Sequence, residues 1–160
     1  MNECIVYVGL GANLGDTRMA LACAYAELQQ LSSTSAHRCS GLFRSEPVDA
    51  TGPDYLNAVA CFSTSMSPHS LLSELQRIES LHGRKRPWRN APRTLDLDLL
   101  LHGQMTLSSP GLTIPHPRLH ERAFVLLPLA ELDRELFIPG HGAVSGLLAA
   151  VSKQVIERVS

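Results

Sequence analysis

Asp96 and Asp98 carry the sharpest chemical signal in this chain. They sit in Arg93-Thr94-Leu95-Asp96-Leu97-Asp98-Leu99-Leu100-Leu101, an apolar alternating run that reads as a β-strand. Successive side chains of a strand point to opposite faces, so the two carboxylates share one face while Leu95, Leu97 and Leu99 bury the other. Asp is depleted in strands, and two like charges about 7 Å apart repel each other unless a cation lies between them. Mg²⁺ suits such a pair, because it takes one or two carboxylates and keeps its other sites for water and substrate phosphates. Taken alone, the pattern fits equally well two acids that are solvated, or paired with Arg93, on an open sheet face.

The residues feeding this strand shift that balance. Residues 83–93 read Gly-Arg-Lys-Arg-Pro-Trp-Arg-Asn-Ala-Pro-Arg, with five of the chain's 14 basic residues and no acid. A cationic loop beside two carboxylates is what a polyphosphate and its metal need: Arg and Lys for phosphate oxygens, Asp for the ion. The loop also holds the only Trp of the chain, and it reads as a lid over the acidic strand.

The elements that position these groups are legible from periodicity. Cys4 to Val8 is a β-branched run that predicts a buried strand ending at Gly9. Gly9 to Asp16 reads as a strand-to-helix loop. It lacks the third Gly of a dinucleotide fingerprint and the Lys of a P-loop, so both motifs are rejected. Asp16 caps a helix to about Leu31, with Leu21, Tyr25, Leu28 and Leu31 on one stripe. A strand follows through Cys39 to Phe43, then a loop from Arg44 to Asp54 that is long for a compact domain, then a returning strand from Tyr55 to Ser65. Ser67-Pro68 starts a second helix with Leu71, Leu72, Leu75 and Ile78 inward and Gly83 as its stop, so Gln76 and Glu79 present polar groups near its end. After the acidic strand, His102-Gly103-Gln104 predicts a hairpin into Met105 to Leu107. The order is βαββαβ, the split pattern of ferredoxin-like sheets: an α+β fold, mostly antiparallel, flanked by helices in α-β-α layers, with an added hairpin. Further on, Leu112 to Pro117 reads as extended, a short helix runs through Arg122, Phe124 to Ala130 supplies apolar packing, and Ser145 to Val151 forms a last helix. His116 and His120 are four apart, but Pro117 between them argues against a zinc pair.

The totals bound the answer. A chain of 160 residues with 44% hydrophobic and 18% charged residues is expected to be one soluble domain, residues 1–160. A formal net charge of −1 gives no global drive toward nucleic acid or anionic membrane, and no apolar run reaches spanning length. Met1-Asn2-Glu3 lacks the basic start of a secretory signal, and the four cysteines are scattered as small buried hydrophobes, so the expectation is a cytoplasmic monomer.

Arg93-Thr94-Leu95-Asp96-Leu97-Asp98, with Pro115-His116 and Arg122-x-Phe124 after it and Pro53-Asp54-Tyr55-Leu56-Asn57-Ala58 before it, resembles the 6-hydroxymethyl-7,8-dihydropterin pyrophosphokinases of folate biosynthesis. The likeness runs from about Ile5 to Phe137. It implies transfer of a pyrophosphoryl group from ATP to the pterin hydroxymethyl oxygen, with release of AMP. It also implies two Mg²⁺ ions held by Asp96 and Asp98, with Asp96 orienting or deprotonating the hydroxyl. By the same resemblance Gln76, Glu79, Arg84, Arg86, Arg93, Leu99, Thr113, His116 and Arg122 surround the nucleotide. Arg84, Arg89 and Arg93 act on the phosphates, and Ser45, Val48, Tyr55, Asn57, Trp88 and Phe124 form the pterin pocket. An aromatic sandwich suits a flat heterocycle, and Asn57 offers it both a donor and an acceptor. The loop departs from the family pattern: where many relatives read Arg-Trp-Gly-Pro-Arg, this chain has Arg89-Asn90-Ala91-Pro92-Arg93, with Trp88 ahead of the Arg. Gly111 stands where some relatives have Arg.

Two other readings compete. A ferredoxin-like RNA-binding module would stack bases on aromatic residues of the sheet, but aromatics are 5% here and the candidate strand shows acids instead. A catalytically silent relative would have no need of Asp96, Asp98, Arg93 and His116 together.

Overall fold

The computed structural model describes residues 2–47, 52–82 and 95–159. Its main sheet is antiparallel throughout. The first strand, β1 (Cys4–Ala12), lies between β4 (Tyr55–Thr64) and β5 (Asp96–His102), and β5 forms the sheet's edge. On the far side of β4 come β2 (Thr34–Cys39) and β3 (Leu42–Ser45), both paired to it. The long strand expected from the sequence breaks into these two at Ser40-Gly41. There the Ser40 hydroxyl accepts from the Val59 amide at 3.0 Å, and the Ser40 amide donates back to the Val59 carbonyl at 2.9 Å.

Two apolar layers sandwich the sheet, because β4 is buried on both faces. Leu56, Ala58, Ala60 and Phe62 point to one core, where α1 (Thr17–Gln29) supplies Leu21, Ala24 and Leu28 and α2 (Pro68–Leu81) supplies Leu71, Leu75 and Ile78. Val59 and Cys61 point to the other, covered by Val125, Leu126 and Leu129. Asp16 and Ser67 cap α1 and α2 as their sequence positions predict, their side chains accepting from the Met19 and Ser70 amides. The βαββαβ order and the α-β-α layering of the sequence reading are therefore present.

Several local expectations give way to tertiary structure. β1 continues through Gly9 and Gly11 to Ala12 instead of opening into a loop, since both glycines pair with β4 and β5 and neither needs a positive φ. The turn at His102-Gly103-Gln104 forms, but it does not fold the next strand back onto β5. Instead β6 (Leu107–Ser109) pairs with β7 (Leu112–Ile114) as a separate hairpin that packs on β5 through β7, with Gly111 at φ 83° in the turn. The helix read through Arg122 is a single 3₁₀ turn, Leu119–Glu121. The apolar run after it forms α3 (Ala123–Leu132), despite Pro128 inside it.

A two-residue pair, β8 (Phe137–Ile138) with β9 (Gly142–Ala143), leads into α4 (Val144–Leu147) and a 3₁₀ turn, Leu148–Val151. The chain then returns as β10 (Ile156–Val159) along β3, an element the sequence pattern did not reveal. Of the cysteines, Cys61 is fully buried, Cys4 and Cys23 are half-buried and Cys39 is exposed, contrary to the uniform burial expected; all four are free thiols. Among the described residues no helix is long and apolar enough to cross a membrane.

Candidate active site

A cleft of about 370 Å³ opens on the α3 side of the sheet, where β1 ends and β5 begins. Its floor follows from strand register. Gly11 faces Asn57 on one side and Asp96 on the other, and Gly9 faces Asp98. Three neighbouring strands thus place an amide, two glycines and two carboxylates on one face. At Gly11 the floor is bare backbone that a flat ligand can approach closely, whereas over Gly9 the Leu100 side chain closes in, its Cδ1 3.5 Å from where a Cβ would stand. Asp96 is half-buried and Asp98 exposed, while Leu95, Leu97 and Leu99 fill the opposite core, so the alternation read from the sequence is present.

One wall is polar. Asn57 is 4% exposed, and its side-chain nitrogen donates to the Ser45 hydroxyl at 2.8 Å and to the Phe43 carbonyl at 3.3 Å. Both amide hydrogens are taken up within the fold, so the donor role foreseen for Asn57 passes to Ser45, whose hydroxyl accepts and keeps its own proton to give. Asn57 Oδ1 faces the floor, about 3.4 Å from where a Gly11 Cβ would stand, with the Tyr55 ring at 3.9 Å from the same point. The wall therefore presents an acceptor and a donor side by side, beside an aromatic ring.

The opposite wall is the start of α3. Arg122 and Phe124 flank Ala123, the first residue of the helix, and the Arg122 guanidinium stands 5.4 Å from the centre of the Phe124 ring, a cation–π contact. Both residues line the cleft with Ser45, Tyr55, Asn57, Asp96 and Asp98. Seven residues scattered from 45 to 124 in the sequence meet in one cavity.

The remaining described candidates lie outside the cleft lining, by the edge strand. Glu79 is not the exposed helix residue that its spacing from Gln76 suggests. It is 4% exposed, and its Oε2 accepts from the Leu97 amide at 2.8 Å, whereas Gln76 is exposed. Thr113 is exposed on β7, which packs against β5. Leu99 sends its side chain into the core beneath α1 and α2, and Leu100 lines the cleft in its place.

Alternation alone puts Leu100 on the face of Asp96 and Asp98, and a β-bulge then brings Leu101 onto the same side. Val8 pairs with Leu99 and Tyr7 with Leu101, leaving Leu100 as the extra residue, and the Leu100 carbonyl accepts from the His116 amide at 3.0 Å. The bulge thereby ties His116 to the acidic strand. Burial pushes the His116 imidazole below its usual range, Asp98 pulls it back up, and Arg122 and Arg118 push it down again. His116 Nδ1 accepts from the Arg118 amide at 3.2 Å, which puts the proton of the neutral ring on Nε2, as a donor.

Val48, Arg84, Arg86, Trp88, Arg89 and Arg93 lie outside the described residues. Asn13, Glu46, Pro47 and Val125 line the cleft without having been singled out in the sequence. Asn13 is the most pointed of these, since its Oδ1 is buried with no hydrogen-bond partner among the described residues. Its signal was a short polar residue between Ala12 and Leu14, which a plain turn explains equally well.

A family profile for 7,8-dihydro-6-hydroxymethylpterin-pyrophosphokinase matches residues 7–134. The chain belongs to this family. Its reaction is accordingly the transfer of pyrophosphate from ATP to hydroxymethyldihydropterin in folate synthesis. The chain is 42% identical over 155 residues to the 2-amino-4-hydroxy-6-hydroxymethyldihydropteridine pyrophosphokinase of Pseudomonas aeruginosa, covering 96% of each. It is 42% identical over 143 residues to the enzyme of that name in Haemophilus influenzae, covering 89% of each. Among solved structures it resembles an HPPK-DHPS in complex with substrates, at TM-score 0.75 and 11% identity over 94% of this chain. It also resembles wild-type Plasmodium falciparum HPPK-DHPS with pterin and p-hydroxybenzoate, at TM-score 0.72 and 13% identity over 99% of this chain. The chain spans less than half the length of those two, 43% and 45%, and at such identities the likeness speaks to the fold.

Proposed function

We propose that this cleft is where the family's reaction takes place, with the pterin between the two walls and the ATP phosphates over Asp96 and Asp98. The observation that carries the reading is the row Asn57–Gly11–Asp96, which sets a heterocycle-binding edge and a carboxylate pair on one glycine floor. A flat ring standing edge-on over Gly11 meets the Asn57 acceptor and the Ser45 donor at its edge, and Tyr55 and Phe124 at its faces. Its hydroxymethyl arm then reaches toward Asp96. The cleft draws on residues from Gly9 to Val125, which supports reading the 160 residues as one working domain.

The donor set fits Mg²⁺. Among the described residues no three His, Cys, Asp or Glu side chains converge as a closed metal cage. Two carboxylates on an open floor leave coordination sites for phosphate oxygens and water, as a Mg²⁺–nucleotide site requires. Asp96 and Asp98 would hold the two ions, which when bound neutralise phosphate charge and polarise the bond to be broken. The protein's own part is placement. Asp96 orients the hydroxyl and accepts its proton, and Arg122 and the His116 Nε2–H offer positive charge and a donor to phosphate oxygens. Leu99, with its side chain buried, contributes only backbone, and Gln76, Glu79 and Thr113 lie toward the base and ribose. The basic residues Arg84, Arg86, Arg89 and Arg93 supply further phosphate contacts, and Val48 and Trp88 complete the pterin enclosure.

Nucleotide analysis after mixing the protein with ATP, Mg²⁺ and 6-hydroxymethyl-7,8-dihydropterin tests the reading. Pterin-dependent AMP, lost on chelation of the metal, is expected. ADP, or AMP that appears without pterin, would overturn it.

A further inference from the structure

The first amides of a helix lack partners within it and need a cap from elsewhere. In α3 the preceding residue is Arg122, whose side chain makes no capping bond. Gln154, 31 residues further along the chain, supplies it: Oε1 accepts from the Ala123 amide at 2.9 Å, and Nε2 donates to the Glu121 carbonyl at 2.7 Å. These bonds grip the backbone on either side of Arg122, so they fix the direction from which Arg122 and Phe124 enter the cleft. Gln154 is absent from the lining of that cleft and lines instead an adjoining cavity of about 300 Å³, which shares Ser45, Arg122 and Phe124 with it.

Two residues beyond Gln154, the chain reaches the other wall. Ile156 opens β10 and pairs with Ser45, whose hydroxyl holds Asn57. Residues 154–156 are thus tied at one end to the Arg122–Phe124 wall and at the other to the Ser45–Asn57 wall. A segment bonded to both sides of a cleft sets its width, and with it how closely both walls contact a bound ring.

We propose that Gln154 is a positioning residue: it holds the Arg122–Phe124 wall at the spacing from Ser45 and Asn57 that a single flat pterin ring fills. The proposal rests on the reading of the cleft as the pterin site. Loss of Gln154 therefore weakens pterin binding before it weakens the chemistry.

Steady-state kinetics on full-length variants test this. Gln154→Ala removes both bonds, and Gln154→Met removes them while keeping the side chain's length. Arg158→Ala is the control, because Arg158 pairs with Glu131 and fastens the same β10 strand away from the cleft. Phe124→Ala reports on the cleft itself.

Both Gln154 variants are expected to raise the KM for pterin about three- to tenfold, the size of one or two hydrogen bonds, with a smaller fall in kcat. Arg158→Ala should keep the wild-type KM even where it lowers the melting temperature. A wild-type pterin KM in the Gln154 variants, with Phe124→Ala impaired, overturns the positioning role alone. An equal rise in Arg158→Ala reduces Gln154 to general support of β10 and also overturns it. An unchanged KM in Phe124→Ala overturns the cleft reading, and the role of Gln154 with it.

Discussion

Glu79 accepts a hydrogen bond from the amide of Leu97, the residue between Asp96 and Asp98, at 2.8 Å. Among the described residues no strand pairs with the outer side of β5, and a buried carboxylate from α2 serves in its place. Glu79 thereby fixes the strand segment that presents both acids. Glu79→Ala should leave a buried N–H without its partner and cost about 1–3 kcal/mol of stability. It should also lower turnover, because the Asp pair loses its backing. Chemical denaturation and AMP release measure the two effects. A variant as stable and active as wild type would show that the bond positions nothing.

Asp98 gives the opposite kind of prediction. It is exposed and packs against no core, so Asp98→Ala should fold and melt like wild type while turnover falls below detection. Because Asp98 raises the proton affinity of His116, the same variant should move the His116 titration to lower pH, as NMR of the imidazole would record. Retained pterin-dependent AMP formation would remove Asp98 from the metal site.

How much of this was legible follows from where each signal lives. The acidic strand declared itself because alternation within one strand is local, and Leu95, Leu97 and Leu99 are indeed buried opposite Asp96 and Asp98. The glycines of β1 misled, because a Gly-rich run reads as a loop unless its partner strands are known. Only the register shows that Gly11 clears a floor between Asn57 and Asp96, while Gly9, opposite Asp98, makes room for Leu100. The bond of Glu79 to Leu97 and the part of Gln154 were hidden for the same reason, although the resemblance had named Glu79 as a nucleotide contact. Each acts on backbone that is distant in sequence, and helix periodicity alone put Glu79 on the surface. β10 was hidden because four residues at a sheet edge carry too little pattern to separate from coil.

His116 makes the fold sensitive to acid. Its folded proton affinity is lowered, chiefly by burial, from an unfolded value of about 6.5. Between the two values the unfolded chain binds more protons, so stability rises with pH there. The contribution of His116 is complete above about pH 6.5 and is lost as pH falls through the lower folded value. Wild type should therefore lose more stability than His116→Gln between about pH 7.5 and pH 5. Paired denaturation curves at each pH isolate the difference, since other titrating groups are common to both proteins. Parallel losses would mean that His116 stays solvated in the folded state.

The floor gives the last prediction. A methyl group at residue 11 would sit about 3.4 Å from Asn57 Oδ1 and 3.9 Å from the Tyr55 ring, in ordinary contact, so Gly11→Ala should not strain the sheet. Gly11 has no positive φ, and replacing Gly by Ala narrows the unfolded ensemble, so stability should hold or rise by up to about 1 kcal/mol. The methyl would nonetheless stand between a ring in the cleft and its acceptor. The KM for pterin should rise about tenfold or more, the size of a lost buried hydrogen bond, while the KM for ATP stays near its wild-type value. Kinetics with each substrate varied in turn would show the split. If the ATP constant rises instead, the glycine floor belongs to the nucleotide, and the heterocycle edge must be sought on the far side of Asp96.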